Sequence, residues 1–202
     1  MGMYDRYLAL RVRRLEASTP SVIAVVLTEQ DLLEQGAYQR LERLLRWAFE
    51  YGADRFLLYV SVLDDRVIPT LERELEDLDT PHALAIRHPE DADRSDEPIQ
   101  ASLGLGGKHE FATAVQSLAE QVVDGDLTAA EVTESDLEAN LVFPDEPDLV
   151  IKTGAERLSD FLIWQSVYSE LYFTDVNWRN LRKRDYLRAL LEYADRQRRF
   201  GT

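Results

Sequence analysis

The sequence predicts an α/β fold: a single domain over residues 1–202 with a central, mainly parallel β-sheet flanked by helices. Three observations carry this expectation. Short β-branched and aliphatic runs alternate with longer stretches of helical periodicity, the signature of βαβ units. The strand-like runs are apolar throughout, as in strands buried on both faces. The chain also has 202 residues, 45% of them hydrophobic and 9% aromatic, enough to bury one real core.

The elements follow in order. Tyr4 to Glu16 places Tyr4, Leu8, Val12 and Leu15 on one helix face, and Ser18-Thr19-Pro20 breaks it. Ser21 to Leu27 is a continuous strand run. Ala37 to Tyr51 repeats Leu41, Leu44, Leu45, Ala48 and Phe49 at helical spacing, and Gly52 stops it. Phe56 to Val60 is a second buried strand, Val67 to Leu78 a short amphipathic helix and His82 to Ile86 a third strand. Pro89 to Pro98 is a polar connection. Ile99 to Leu105 reads as a strand, and the glycines around Leu105 turn into a helix from Lys108 to Val123. Thr128 to Asn140 is acidic and helical in pieces. Asp148 to Ile151 and Glu170 to Phe173 are strands, and Asn180 to Arg199 closes the chain as an arginine-rich helix.

Composition excludes several chemistries. There is no cysteine, so thiol catalysis, disulfides and Cys-ligated metals are out. Three histidines leave little scope for a His-rich metal site. The longest apolar run, Val22 to Leu27, is far short of a bilayer span. The opening residues lead into mixed charge rather than a signal peptide, so a cytoplasmic protein is expected. The net charge of -15 repels nucleic acid. Only three of the 23 basic residues are lysines: Lys108, Lys152 and Lys183. An acidic, lysine-poor surface suits the salt-rich cytoplasm of an archaeal halophile, although an ordinary acidic protein of a high-GC mesophile has the same look.

The chemistry gathers between Pro147 and Phe173. A buried strand ends at Ile151 and polar residues follow at once. In open parallel sheets, ligands bind beyond the carboxyl ends of strands. Lys152, Arg157 and Ser159, with Thr153 and Gly154, offer two cations, a hydroxyl and flexible backbone, which suit a phosphate or diphosphate. Glu170, a carboxylate between apolar residues, is a candidate Mg²⁺ ligand. The same residues also fit a capped helix start with a surface ion pair. Gly104-Leu105-Gly106-Gly107-Lys108 has the look of a phosphate loop, but His109 stands where a Walker A needs Ser or Thr.

The stretch from Pro147 to Phe173 resembles the signature of the cis-prenyltransferases, the undecaprenyl (or polyprenyl) diphosphate synthase family, close to P-D-L-x-I-R-T-x-G-E-x-R-x-S-N-F-x-x-W-Q-x-x-Y-x-E-L-x-F. It departs at Lys152 for arginine, at Asp160 for asparagine, and by one residue missing between Glu156 and Arg157. Gly106-Gly107-Lys108-His109-Glu110-Phe111 is similar to the family's G-G-R-x-E-I, and the tail to its terminal R-R-F-G. The resemblance covers nearly the whole chain. It implies an undecaprenyl diphosphate synthase-like fold and an enzyme family that condenses isopentenyl diphosphate onto an allylic diphosphate with Mg²⁺. It implies an isopentenyl diphosphate site at Lys152, Arg157, Ser159, Arg199 and Gly201, with Glu170 on the metal side. In the family the R-x-G tail completes the neighbouring subunit's site.

The family's allylic-diphosphate loop, D-G-N-x-R after the first strand, is not kept. Thr28 stands at the aspartate, Glu29 at the glycine and Gln30 at the asparagine, and no Arg or Lys lies between Leu27 and Arg40. Ser61 to Arg66 likewise lacks the family's tryptophan. Three readings remain. The first is a non-catalytic or half-site accessory subunit that joins an intact cis-prenyltransferase in a heterodimer or heterotetramer. The second is an active homodimer with a displaced metal ligand, Asp31 or Asp64. The third is a non-enzymatic prenyl-diphosphate binder. The basic C-terminal quarter, from Arg179 to Arg199, is a solvated helix face, an attractor for diphosphate or a transient contact with a membrane surface.

Overall fold

A computed structural model describes residues 2–15, 19–88, 91, 95–143, 145–153, 162–174 and 176–200. Six parallel strands form one sheet in the order β3-β4-β2-β1-β5-β6. They are β1 (Val22–Thr28), β2 (Arg55–Ser61), β3 (Leu84–Arg87), β4 (Ile99–Leu103), β5 (Leu149–Thr153) and β6 (Glu170–Thr174). The helices are α1 (Met3–Arg13), α2 (Glu29–Leu33), α3 (Ala37–Glu50), α4 (Ile68–Glu76), α5 (Gly107–Asp124), α6 (Glu134–Ala139) and α7 (Lys183–Phe200).

The continuous apolar strands follow from burial on both sides. One face presents Ile23, Val25, Leu27, Phe56, Leu58 and Val60 to the main core, which α1, α3, α4 and α7 complete. The other presents Ala24, Val26, Leu57, Tyr59 and Val150, covered by Leu105, Phe143 and Leu162. Ala114 and Leu118 of α5 pack with Leu137 of α6 and Leu141 in a third cluster, against which Trp164 lies.

The expected elements are present with small shifts. Helix α3 stops before Gly52, whose φ of 98° is left-handed. A Cβ there would sit 2.8 Å from Thr19 Oγ1, so glycine is required both by backbone and by space. The third strand begins two residues later than expected, and the acidic stretch 128–140 condenses to α6. Trp178–Asn180 is a separate 3-10 turn, so the last helix starts at Lys183 rather than Asn180. One element was not expected: α2, which occupies the segment read as a degraded loop.

Candidate functional site

Chain connections leave β1 in one direction to β2, β3 and β4, and return on its other side to β5 and β6. The carboxyl ends of β1 and β5 therefore flank the switch point of the sheet, where parallel α/β proteins bind ligands. Lys152 lies there, half-buried and in register with Val26. Side chains alternate along a strand, so Lys152 shares its face with Val26 and Thr28. Burial lowers the Lys152 pKa, and the carboxylate of Asp31 acts against that shift. Lys152 thus stands near the carboxyl end of β5, with a chain carboxylate in its field.

Local chemistry explains α2. Thr28 and Asp31 form a capping box: the Thr28 N–H and hydroxyl donate to Asp31 Oδ2 at 2.9 and 2.8 Å, and Asp31 N–H donates to Thr28 Oγ1 at 3.3 Å. Glu29 turns the other way. Its Oε2 accepts from the backbone N–H groups of Leu63 at 2.9 Å and Asp64 at 3.3 Å, beyond the end of β2. Three backbone amides at this end of the sheet therefore already donate to the chain's own carboxylates. Glu29 and Asp31 are therefore not loose charges but acceptors for backbone amides. Asp64, the other candidate for a displaced metal ligand, caps Arg66 N–H and holds its guanidinium at 2.9 Å. These contacts hold the Asp64 carboxyl below the usual carboxylate range.

The next loop ends in α5. Gly104 turns the chain at φ 74°, and Gly106 caps the helix, so the first amides of α5 open near the carboxyl end of β4. Glu110, on its first turn, is buried. Its Oε1 accepts from Phe143 N–H at 3.0 Å and its Oε2 from Gln165 Nε2 at 3.1 Å, while Gln165 Nε2 also donates to Phe143 O at 2.7 Å. Burial raises the Glu110 pKa, opposed by these hydrogen bonds. The sequence reading assigned Glu110 and Gln165 no role. The available signal was their place in the two resembled motifs, Glu110 at the glutamate of G-G-R-x-E-I and Gln165 at the glutamine of W-Q.

Glu170 begins β6 and pairs in register with Leu149, whereas Lys152 pairs with Phe173. Three residues of strand, roughly 10 Å, separate their levels. Glu170 Oε2 holds Arg196 Nη1 at 3.1 Å, and the same nitrogen donates to Leu171 O. Within one chain, then, Glu170 and Lys152 do not converge. Among the described residues no three His, Asp or Glu side chains are grouped to hold a metal ion, and Glu170, expected on the metal side, is paired with Arg196. Arg157, Ser159 and Gly201 lie outside the described residues. Arg199 belongs to α7, so the backbone at this tail position is helical rather than frayed.

A parallel α/β sheet with a half-buried lysine at its switch point has the layout of a ligand-binding α/β protein. The family model described as "Putative undecaprenyl diphosphate synthase" matches residues 70–201, which include Lys152, Arg157, Ser159, Glu170, Arg199 and Gly201. The chain belongs to the undecaprenyl diphosphate synthase family of prenyltransferases. A tritrans,polycis-undecaprenyl-diphosphate synthase (geranylgeranyl-diphosphate specific) of Picrophilus torridus is 44% identical over 104 residues, 50% of this chain and 40% of the relative. The Methanocaldococcus jannaschii protein of the same description is 45% identical over 109 residues, 51% of this chain and 39% of its own. An isoprenyl transferase of Streptococcus pyogenes is 45% identical over 111 residues, 51% of this chain and 44% of its own. The chain thus spans less than half the length of the curated relatives it matches. The fold is also that of lavandulyl diphosphate synthase from Lavandula x intermedia, solved with dimethylallyl diphosphate: TM-score 0.70, 19% identity, covering 87% of this chain and 95% of that one. A probable undecaprenyl diphosphate synthase from Campylobacter jejuni superposes with TM-score 0.68 at 22% identity, covering 92% of this chain and 100% of that one.

Proposed function

We propose that this chain is an accessory, half-site subunit of a cis-prenyltransferase that makes polyprenyl diphosphate lipid carriers from isopentenyl diphosphate. One observation carries the reading: at the carboxyl ends of β1 and β2, where an allylic diphosphate would need backbone amides, Thr28, Leu63 and Asp64 already donate to Asp31 and Glu29. A second anion there competes with two fixed carboxylates. The neighbouring half has a cation at Lys152, and the resemblance to the family's signature adds Arg157 and Ser159. In this reading those residues bind the isopentenyl diphosphate, and Arg199 with Gly201 serves the partner's site. Mg²⁺ is held chiefly by an intact partner subunit, to which Glu170 contributes from the edge strand. In this reading residues 1–202 act as one domain in the cytoplasm, and the acidic, lysine-poor composition suits a salt-rich cell.

The test is incorporation of labelled isopentenyl diphosphate, with Mg²⁺ and an allylic primer, by the lone chain and by the chain co-expressed with an intact homologue. The lone chain is expected to be inactive and the pair active. Turnover by the lone protein, abolished by Glu170→Ala, would establish a homodimeric enzyme instead.

A further inference from the structure

Helix α1 carries apolar side chains on two opposite faces. Leu8, Ala9 and Val12 are buried in the main core, where α1 packs along α7. Met3, Tyr7 and Leu10, at i, i+4 and i+7, form a stripe on the opposite side and are 89%, 54% and 47% exposed. Tyr4, beside them, is 48% exposed. Four large, largely exposed side chains on one short helix, with only arginines lying over Tyr4 and Tyr7, is the kind of patch that marks an interaction surface. The charge around it is unlike that of the rest of the molecule. Arg6, Arg11, Arg13 and Arg14 surround the stripe against a single acid, Asp5, in a chain whose net charge is -15. Arg13 pairs with Glu50, but among the described residues Arg6, Arg11 and Arg14 make no salt bridge. The neighbouring helix adds Arg188, which pairs with Asp185 at 3.6 Å, lies over the Tyr4 ring at 5.5 Å and donates to its hydroxyl at 3.3 Å.

We propose that α1 is an interfacial anchor that seats this stripe in the headgroup region of an anionic lipid bilayer. Charge complementarity selects that occupant. An isologous contact with a second copy would set the arginines of the two α1 helices against each other. A sheet of lipid phosphates instead meets the arginines while Met3, Tyr7 and Leu10 enter below them, the arrangement of surface-lying amphipathic helices. Tyrosine suits this depth, with its ring in the apolar layer and its hydroxyl at the headgroups. The acidic remainder of the molecule is repelled by the same surface, which orients α1 towards it.

Flotation of the full chain with vesicles tests this independently of any prenyltransferase activity. Equimolar phosphatidylglycerol and phosphatidylcholine vesicles are compared with phosphatidylcholine alone, for wild type, Tyr7→Ser/Leu10→Ser, Arg6→Glu/Arg14→Glu and the remote control Val123→Ser. Wild type is expected to float with the anionic vesicles about tenfold or more better than with neutral ones. Each α1 pair should lower anionic-vesicle binding by about tenfold or more, and the control should leave it unchanged. All substituted positions are exposed, so thermal melts should coincide and exclude misfolding as the cause. Failure of wild type to float, or α1 variants that float like wild type, would overturn the proposal. So would a fall in solution mass on size exclusion in Tyr7→Ser/Leu10→Ser, because the stripe would then cover a second copy.

Discussion

Replacing Glu110 with alanine removes the acceptor for two buried donors, Phe143 N–H and Gln165 Nε2. Hydrogen bonds to a charged group contribute about 1.5–3 kcal/mol each, a gross loss of roughly 3–6 kcal/mol. The carboxylate's own desolvation, visible as its raised pKa, offsets part of that and leaves a net cost of about 3 kcal/mol. In a chain of about 200 residues each kcal/mol moves Tm by about 2–4 °C, so Glu110→Ala should melt about 6–12 °C lower. Glu110→Gln keeps the shape and can still accept from Phe143 N–H, but its amide then faces Gln165 Nε2. A flip of Gln165 would turn its Oε1 onto Phe143 O and lose the bond that Nε2 makes there, so the clash stays and the cost is about 1.5–3 kcal/mol. The pH dependence has a definite sign. The raised pKa means that the folded state binds a proton more tightly than the unfolded chain. This group's contribution is therefore fully present below the ordinary glutamate range and is lost as pH rises through the raised value. Glutamine does not titrate, so the deficit of Glu110→Gln relative to wild type should shrink between pH 4 and pH 7. Thermal melts of the three proteins at both pH values decide the matter. A Glu110→Ala midpoint within about 2 °C of wild type, or a deficit that widens with pH, would refute the reasoning.

Thr28→Ala removes the cap of α2 and should cost about 1 kcal/mol by urea denaturation, whereas Thr28→Asp should not give the lone chain elongation activity, because Asp31 and Glu29 still hold the local amides. Arg157→Ala should weaken isopentenyl diphosphate binding about tenfold or more by calorimetry; equal affinities would make the signature a structural remnant. Deleting Phe200 to Thr202 should leave Tm and size-exclusion mass unchanged while cutting the rate of the co-expressed pair about tenfold, if Arg199 and Gly201 act in the partner's site.

The strands were legible because Val22 to Leu27 and Phe56 to Val60 are apolar on both faces, which only a sandwiched parallel sheet can use. The stop of α3 was legible because Gly52 needs no partner to prefer a left-handed turn. Lys152 at a strand's carboxyl end could be read from the polar residues that follow it. Even the capping box of α2 was local, spelled by Thr28 and Asp31 three positions apart, but the degraded family motif drew the reading towards a loop. Tertiary structure decided what the charges do. Glu29 meets amides 34 and 35 positions away, Glu110 meets Gln165 at a separation of 55, and Glu170 meets Arg196 at 26. These partners depend on which strands lie side by side and on which helix covers which face. Strand order is set by packing summed over the whole core, and no local propensity encodes it.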